Sequence, residues 1–297
     1  MMSSMRSRSN NAIFLPLCLI LVACGSAPQK QNPPTEQAIK LSARADAAFM
    51  QGEYERAKND YLQALRINQS VENAAGIAIL RFNLARVFRE LANPDQAHLQ
   101  LDALLSEPTL LYPSDTLAAA AVLKSQLYLE SNEPSLALSW VERGERLCQK
   151  NCSVAGSLLL LRAQLAQRDR RLDEALKLAT DAEAALNSGT QQVELANAQR
   201  LSGEISLAMN DFTKAIQSFQ QALAIDQKLG ITGKIRLDLL RLGTANERAG
   251  AITTALHFYT RALAVSVAMN SAQAADVVRD HITSLHNNPA VKPLESR

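Results

Sequence analysis

The stretch "YERAKNDYLQAL", residues 54–65, decides the fold, because it returns as "FTKAIQSFQQAL" at 212–223 and "ITTALHFYTRAL" at 252–263. Each copy has an alanine, an aromatic residue four positions on, and then Ala-Leu. On an α-helix those steps fall on one face. Indexed on the first alanine, the pattern recurs at Ala57, Ala97, Ala137, Ala175, Ala215 and Ala255, at spacings of 40, 40, 38, 40 and 40 residues. Twelve residues before each alanine stands a small residue: Ala45, Ala85, Ser125, Ala163, Gly203 and Gly243. A small side chain there lets two helix backbones approach closely. Three residues before each alanine stands Tyr54, Pro94, Pro134, Leu172, Phe212 or Ile252. That position opens a second helix, where proline is tolerated because its missing N–H has no helical partner to lose. Asn93-Pro94 reads as an N-cap followed by a first-turn proline.

The unit is therefore a helix, a turn and a helix, repeated six times. Around it the chain is rich in helix-forming residues and carries no useful run of strand-like alternation. The six units resemble the tetratricopeptide repeat over about residues 38–270, most closely in the fifth ("LSGEISLAMNDFTKAIQSFQQALAID") and the sixth. They depart from it in the third and fourth, where Arg170 occupies the turn that Gly52 and Gly250 fill elsewhere. The period exceeds the usual one of about 34, which requires longer helices or longer links. The expectation is an all-α, right-handed solenoid of about six helix pairs, closed by a capping helix over residues 271–286. That cap, "AADVVRDHITSL", has apolar residues for one face and charges for the other, which suits the exposed end of a stacked array. His281 and His286 are expected to face solvent.

The resemblance implies a concave surface, lined by the first helix of each pair, that holds peptides or partner proteins. Its groove positions fall on Asp46, Arg86, Gln126, Gln164 and Glu204, and one turn earlier on Ser42, Phe82, Val122, Leu160, Arg200 and Leu240. The lysine–asparagine clamp that some members use for a C-terminal carboxylate is absent, which argues against that mode.

The N-terminus fixes the compartment. Arg6 and Arg8 precede the apolar run "AIFLPLCLILVA" at 12–23. A basic segment followed by about a dozen apolar residues is a secretory signal pattern. A spanning helix needs roughly 20. Leu21-Val22-Ala23-Cys24 resembles the lipobox of bacterial lipoproteins, which implies cleavage after residue 23 and acylation of Cys24. Gly25 rather than aspartate follows, which leans towards the outer membrane, with the protein on its periplasmic face. Residues 24–37, rich in Pro and Gln, read as a flexible tether, and 287–297 as a loose tail.

Removing residues 1–23 takes Arg6 and Arg8 and no acid, leaving 29 basic and 29 acidic side chains. That balance provides no broad electrostatic footprint for nucleic acid. Cys148 and Cys152, in "LCQKNCS", are the one pair left for a disulfide in an oxidising compartment. Two free thiols and a metal site are the alternatives. A metal needs further ligands, and His98, His257, His281 and His286 show no ligand spacing. No metal or cofactor is expected. No nucleophile elbow, phosphate loop or cysteine–histidine signature is present, so the expected function is a non-enzymatic scaffold. Its partner would be an envelope protein, in assembly of a machine such as a type IV pilus or of outer-membrane proteins. The rival readings are a regulatory adaptor of a peptidoglycan enzyme or an envelope protease and, third, an enzyme with a dispersed site.

Overall fold

The computed structural model describes residues 33–106, 110–148, 152–186 and 191–287. Over these the chain is helical, with no strand among the described residues. Six helix pairs follow one another: α1 (Pro33–Met50) with α2 (Tyr54–Ser70), α3 (Ala74–Glu90) with α4 (Pro94–Leu105), and α5 (Ser114–Glu130) with α6 (Pro134–Leu147). Then come α7 (Ala155–Arg168) with α8 (Leu172–Leu186), α9 (Gln192–Ala208) with α10 (Phe212–Leu229), and α11 (Thr232–Arg248) with α12 (Ile252–Ala268). A thirteenth helix, α13 (Ala272–Asn287), closes the array. Helix α1 begins at Pro33, inside the stretch assigned above to the tether. Pro33 and Pro34 stand in its first turn, where proline does no harm. Cys24 and residues 288–297 lie outside the described residues.

One turn design joins the helices of every pair. Gly52, Ala92, Asn132, Arg170, Asn210 and Gly250 all have positive φ, between 52° and 77°. The residue after each donates its N–H back across the helix end, as in Glu53 to the Ala48 carbonyl (2.9 Å), Arg171 to Ala166 (2.9 Å) and Ala251 to Asn246 (2.9 Å). This is the Schellman closure, which satisfies carbonyls that the helix end leaves free. It demands a left-handed residue. Arg170 and Ala92 meet that demand against their own preference, and that is why the turn is hard to read in their units.

The long period has two sources. In the first, fifth and sixth units both helices run to 17 or 18 residues, with short turns between. In the second and third, the second helix shortens to 12 and 14 residues, and the links 106–113 and 148–154 make up the length. Cys148 ends α6, and a disulfide joins it to Cys152, with Cα atoms 5.2 Å apart. It ties the end of α6 to the approach of α7.

The indexed alanines are the contact points of the stack: all six are completely buried. Ala45, Ala85, Ser125 and Ala163 are equally buried, and the Ser125 hydroxyl donates to the Ala137 carbonyl at 2.9 Å. At Gly203 and Gly243 an added Cβ would lie 2.6 Å from Phe219 Cε1 and 2.5 Å from Tyr259 Cδ1. Glycine is required there because an aromatic ring lies against the backbone. On the cap, Ala275, Val278 and Leu285 are buried. His281, expected in solvent, is half-buried and stacks on Tyr259 with ring centroids 5.1 Å apart. The cap covers the last aromatic ring as well as the aliphatic face. The His286 side chain lies outside the described residues.

Candidate protein-binding groove

The first helices α1, α3, α5, α7, α9 and α11 line a groove of about 1040 Å³; no second helix contributes to it. This follows from stacking: each first helix packs on its own second helix and beside the next first helix, so the inner row stays uncovered.

Eight of the positions expected from sequence lie along it: Phe82, Arg86, Val122, Gln126, Leu160, Gln164, Arg200 and Glu204. Ser42, Asp46 and Leu240 do not line it. Asp46 instead accepts a hydrogen bond from the Tyr61 hydroxyl of α2. Burial, and then that carboxylate, hold the Tyr61 phenol above its usual range. Leu240 packs against the core of the last two units.

Three of the eight need correction as ligand contacts. Val122 and Leu160 are buried and belong to the cores of their units, so they present only an edge. Arg200 is 7% exposed. Its Nε donates to Asp238 Oδ1 at 2.6 Å, and its Nη2 to Asp238 Oδ2 at 3.3 Å and to Asp226 Oδ2. It is a strut between the fifth and sixth units, with its guanidinium consumed by carboxylates.

What stays open is chemically mixed. At the N-terminal end the Arg86 guanidinium lies over the Phe49 ring, 4.6 Å from its centroid, beside half-buried Phe82. Arg89 spans to the next unit, donating from Nε to Glu130 Oε1 at 3.0 Å and from Nη1 to Gln126 Oε1 at 3.3 Å. In the centre, Ala119 and the edges of buried Val122, Leu123 and Leu161 form an apolar floor edged by Gln126 and Gln164. At the C-terminal end Asn197 Oδ1 accepts from Arg200 Nη1 and Lys234 Nζ, both at 2.9 Å. Burial, and then the Arg200 charge, push the Lys234 ammonium below its usual range. Glu204 pairs with Arg241 of α11 at 2.9 Å. Such a surface grips a chain by amide and guanidinium hydrogen bonds around a small apolar contact.

Sequence reasoning missed Phe49, Arg89, Asn197 and Lys234. A signal for the first two existed. Phe49 and Arg89 lie four residues after Ala45 and Ala85, one helical turn along the same face. Asn197 and Lys234 lie further up their helices than the two turns considered.

Residues 36–106 match one tetratricopeptide repeat model and residues 201–229 match another. The fold is a tetratricopeptide-repeat solenoid. Similar solenoids include a chain of the crystal structure of the APC/C hetero-tetramer Cut9–Hcn1, at a TM-score of 0.66 and 13% identity, covering 82% of this chain and 42% of that one. Another is PilW, described as a widely conserved type IV pilus biogenesis factor, at a TM-score of 0.59 and 12% identity, covering 84% of this chain and 99% of that one. In sequence, a DnaJ homolog subfamily C member 7 homolog of Schizosaccharomyces pombe is 23% identical over 206 residues, which is 67% of this chain and 41% of that protein. The chain thus spans about two fifths of the length of that curated relative and of the Cut9–Hcn1 chain. The solenoid is a scaffold suited to protein–protein interaction. Among the described residues no cluster of His, Cys, Asp or Glu could hold a metal ion, and no helix is long and apolar enough to cross a membrane.

Proposed function

We propose that the protein is a non-catalytic scaffold that holds a segment of an envelope protein in the groove of its first helices. It is anchored by lipid on Cys24 to the outer membrane, at its periplasmic face. The observation that carries the reading is the groove itself, which runs unbroken along the first helices with polar ends and an apolar centre. Leu21-Val22-Ala23-Cys24 supports the anchor. Likeness of fold to PilW over nearly all of that chain supports a place in assembly of a pilus-type machine. A tethered array needs no catalytic group for that role: it raises the local concentration of its partner at the membrane.

The test is in-cell photocrosslinking from single positions in the groove, Phe82, Gln126 and Gln164. Exposed Leu99 and Leu138 on the second helices serve as controls. One envelope partner captured from the groove positions alone, and lost or mislocalised with Cys24→Ser, is the expected result. Capture from the controls alone would overturn the groove. Unchanged membrane attachment of Cys24→Ser would overturn the anchor. If the captured partner is a hydrolase whose rate depends on this protein, the adaptor reading replaces the assembly one.

A further inference from the structure

The seam between the fifth and sixth units holds two carboxylates, Asp226 and Asp238, that do not line the groove. Arg200 of α9 stands between Asp226 of α10 and Asp238 of α11, and both carboxylates are fully buried. One guanidinium thus faces two carboxylates. The second cation nearby, Lys234 of α11, gives its hydrogen bond to Asn197 rather than to either acid. Glu204 and Arg241 at the same seam neutralise each other. Glu194 of α9 lies on the Lys234 side. The guanidinium therefore serves two buried carboxylates at once, and the second cation reaches neither by a hydrogen bond, in a place where a poorly paired carboxylate is costly.

The hydrogen bonds show where the imbalance rests. Arg200 satisfies Asp226 Oδ2 and both oxygens of Asp238, but Asp226 Oδ1 is buried with no hydrogen-bond partner. One nitrogen, Arg200 Nη2, donates to Oδ2 of both residues, which draws the two carboxyl groups together. A proton on Asp238 turns that carboxylate into a donor towards Asp226 and removes one of the two buried negative charges.

We propose that Asp238 holds a proton beside Asp226 in the closed solenoid, and that its loss to solvent as pH rises loosens the seam between the fifth and sixth units. Burial, opposed by Arg200, pushes the Asp238 carboxyl up to about 6 from its ordinary 3.8. The folded seam therefore binds this proton more tightly than the unfolded chain does. Its stabilising effect is complete below the ordinary carboxylate range and is lost as pH rises through about 6. Lys234 works in the opposite direction: burial lowers its ammonium, so the seam gains stability as pH rises towards the ordinary 10.5. The sixth unit carries Lys234 into the groove, so a loosened seam frees the groove's C-terminal wall.

The experiment is amide hydrogen exchange of the full chain at pH 5 and pH 7.5, corrected for intrinsic rates. The α11 and α12 amides are the readout, and α3 is the internal reference. Linkage predicts local opening about tenfold greater at pH 7.5 in α11 and α12, with α3 unchanged. Asp238→Asn is uncharged at both pH values, as protonated Asp238 is, and keeps one oxygen to accept from Arg200 Nε. Its opening should stay at the acid level at both pH values. Equal opening of the wild type at the two pH values, or the same pH dependence in Asp238→Asn, would overturn the proposal. Should that variant fail to fold, the wild-type side-chain carboxyl ¹³C shifts decide. Titration of Asp238 near 6 supports the proposal, and titration within the ordinary carboxylate range refutes it.

Discussion

Gly243→Ala tests the packing rule of the stack. In a helix interior, glycine to alanine alone raises stability by about 1 kcal/mol, through backbone entropy. Here the new Cβ would sit 2.5 Å from Tyr259 Cδ1 and 2.9 Å from Cζ. The ring cannot swing aside: it is completely buried, stacked under His281, and its hydroxyl donates to Glu247 at 2.7 Å. Forcing an extra carbon into such a core costs typically about 1–3 kcal/mol. Set against the propensity gain, the net expectation is a loss of up to about 2 kcal/mol. Tyr259→Leu removes the ring and leaves room, so adding Gly243→Ala to that background should be neutral or stabilising. The pair should then show a coupling of about 1–3 kcal/mol in a double-mutant cycle. Urea unfolding followed by helical circular dichroism, with hydrogen exchange on α11 and α12, measures both. Long arrays unfold in parts, so the local readout is the decisive one. If Gly243→Ala alone stabilises these helices as propensity predicts, close helix approach at this position is not what requires glycine.

The turns make the opposite prediction. Ala92 has φ of 52°, so Ala92→Gly should raise stability by about 1 kcal/mol, seen as a higher urea midpoint. Asn93 caps α4 by accepting from the Gln96 N–H at 3.2 Å; Asn93→Ala should lower stability by about 1 kcal/mol and fray that helix in exchange measurements. Replacing Cys148 and Cys152 together by serine opens a loop of only a few residues, so the loss should not exceed about 2 kcal/mol. Its effect on exchange should be confined to the end of α6 and the start of α7. A loss spread along the whole array would mean the disulfide holds more than one junction.

Much of the architecture was legible because it is periodic. The alanine at 57, 97, 137, 175, 215 and 255 and the small residue twelve before it are demanded by close helix contact in every unit, so they recur and can be counted. Helix number and pairing follow from them, and so does the face each first helix turns inward. Their register was enough to place Phe82, Arg86, Gln126, Gln164 and Glu204 along the groove.

Only the tertiary structure decided what each of those side chains does there. Arg200 and Phe82 occupy the same repeat position, yet Phe82 stays half-open while Arg200 is spent on two acids from α10 and α11, 26 and 38 residues away. Asp46 and Arg86 also share a position, yet a tyrosine on the paired helix takes Asp46 out of the groove. Periodicity reports which face a residue occupies, because backbone geometry repeats. It carries nothing about partners, because those are set by side chains on other helices, and these vary from unit to unit. The buried proton site at the fifth seam is of the same kind: no pattern in the chain announces Asp226 and Asp238 as neighbours until stacking brings α10 and α11 together around Arg200.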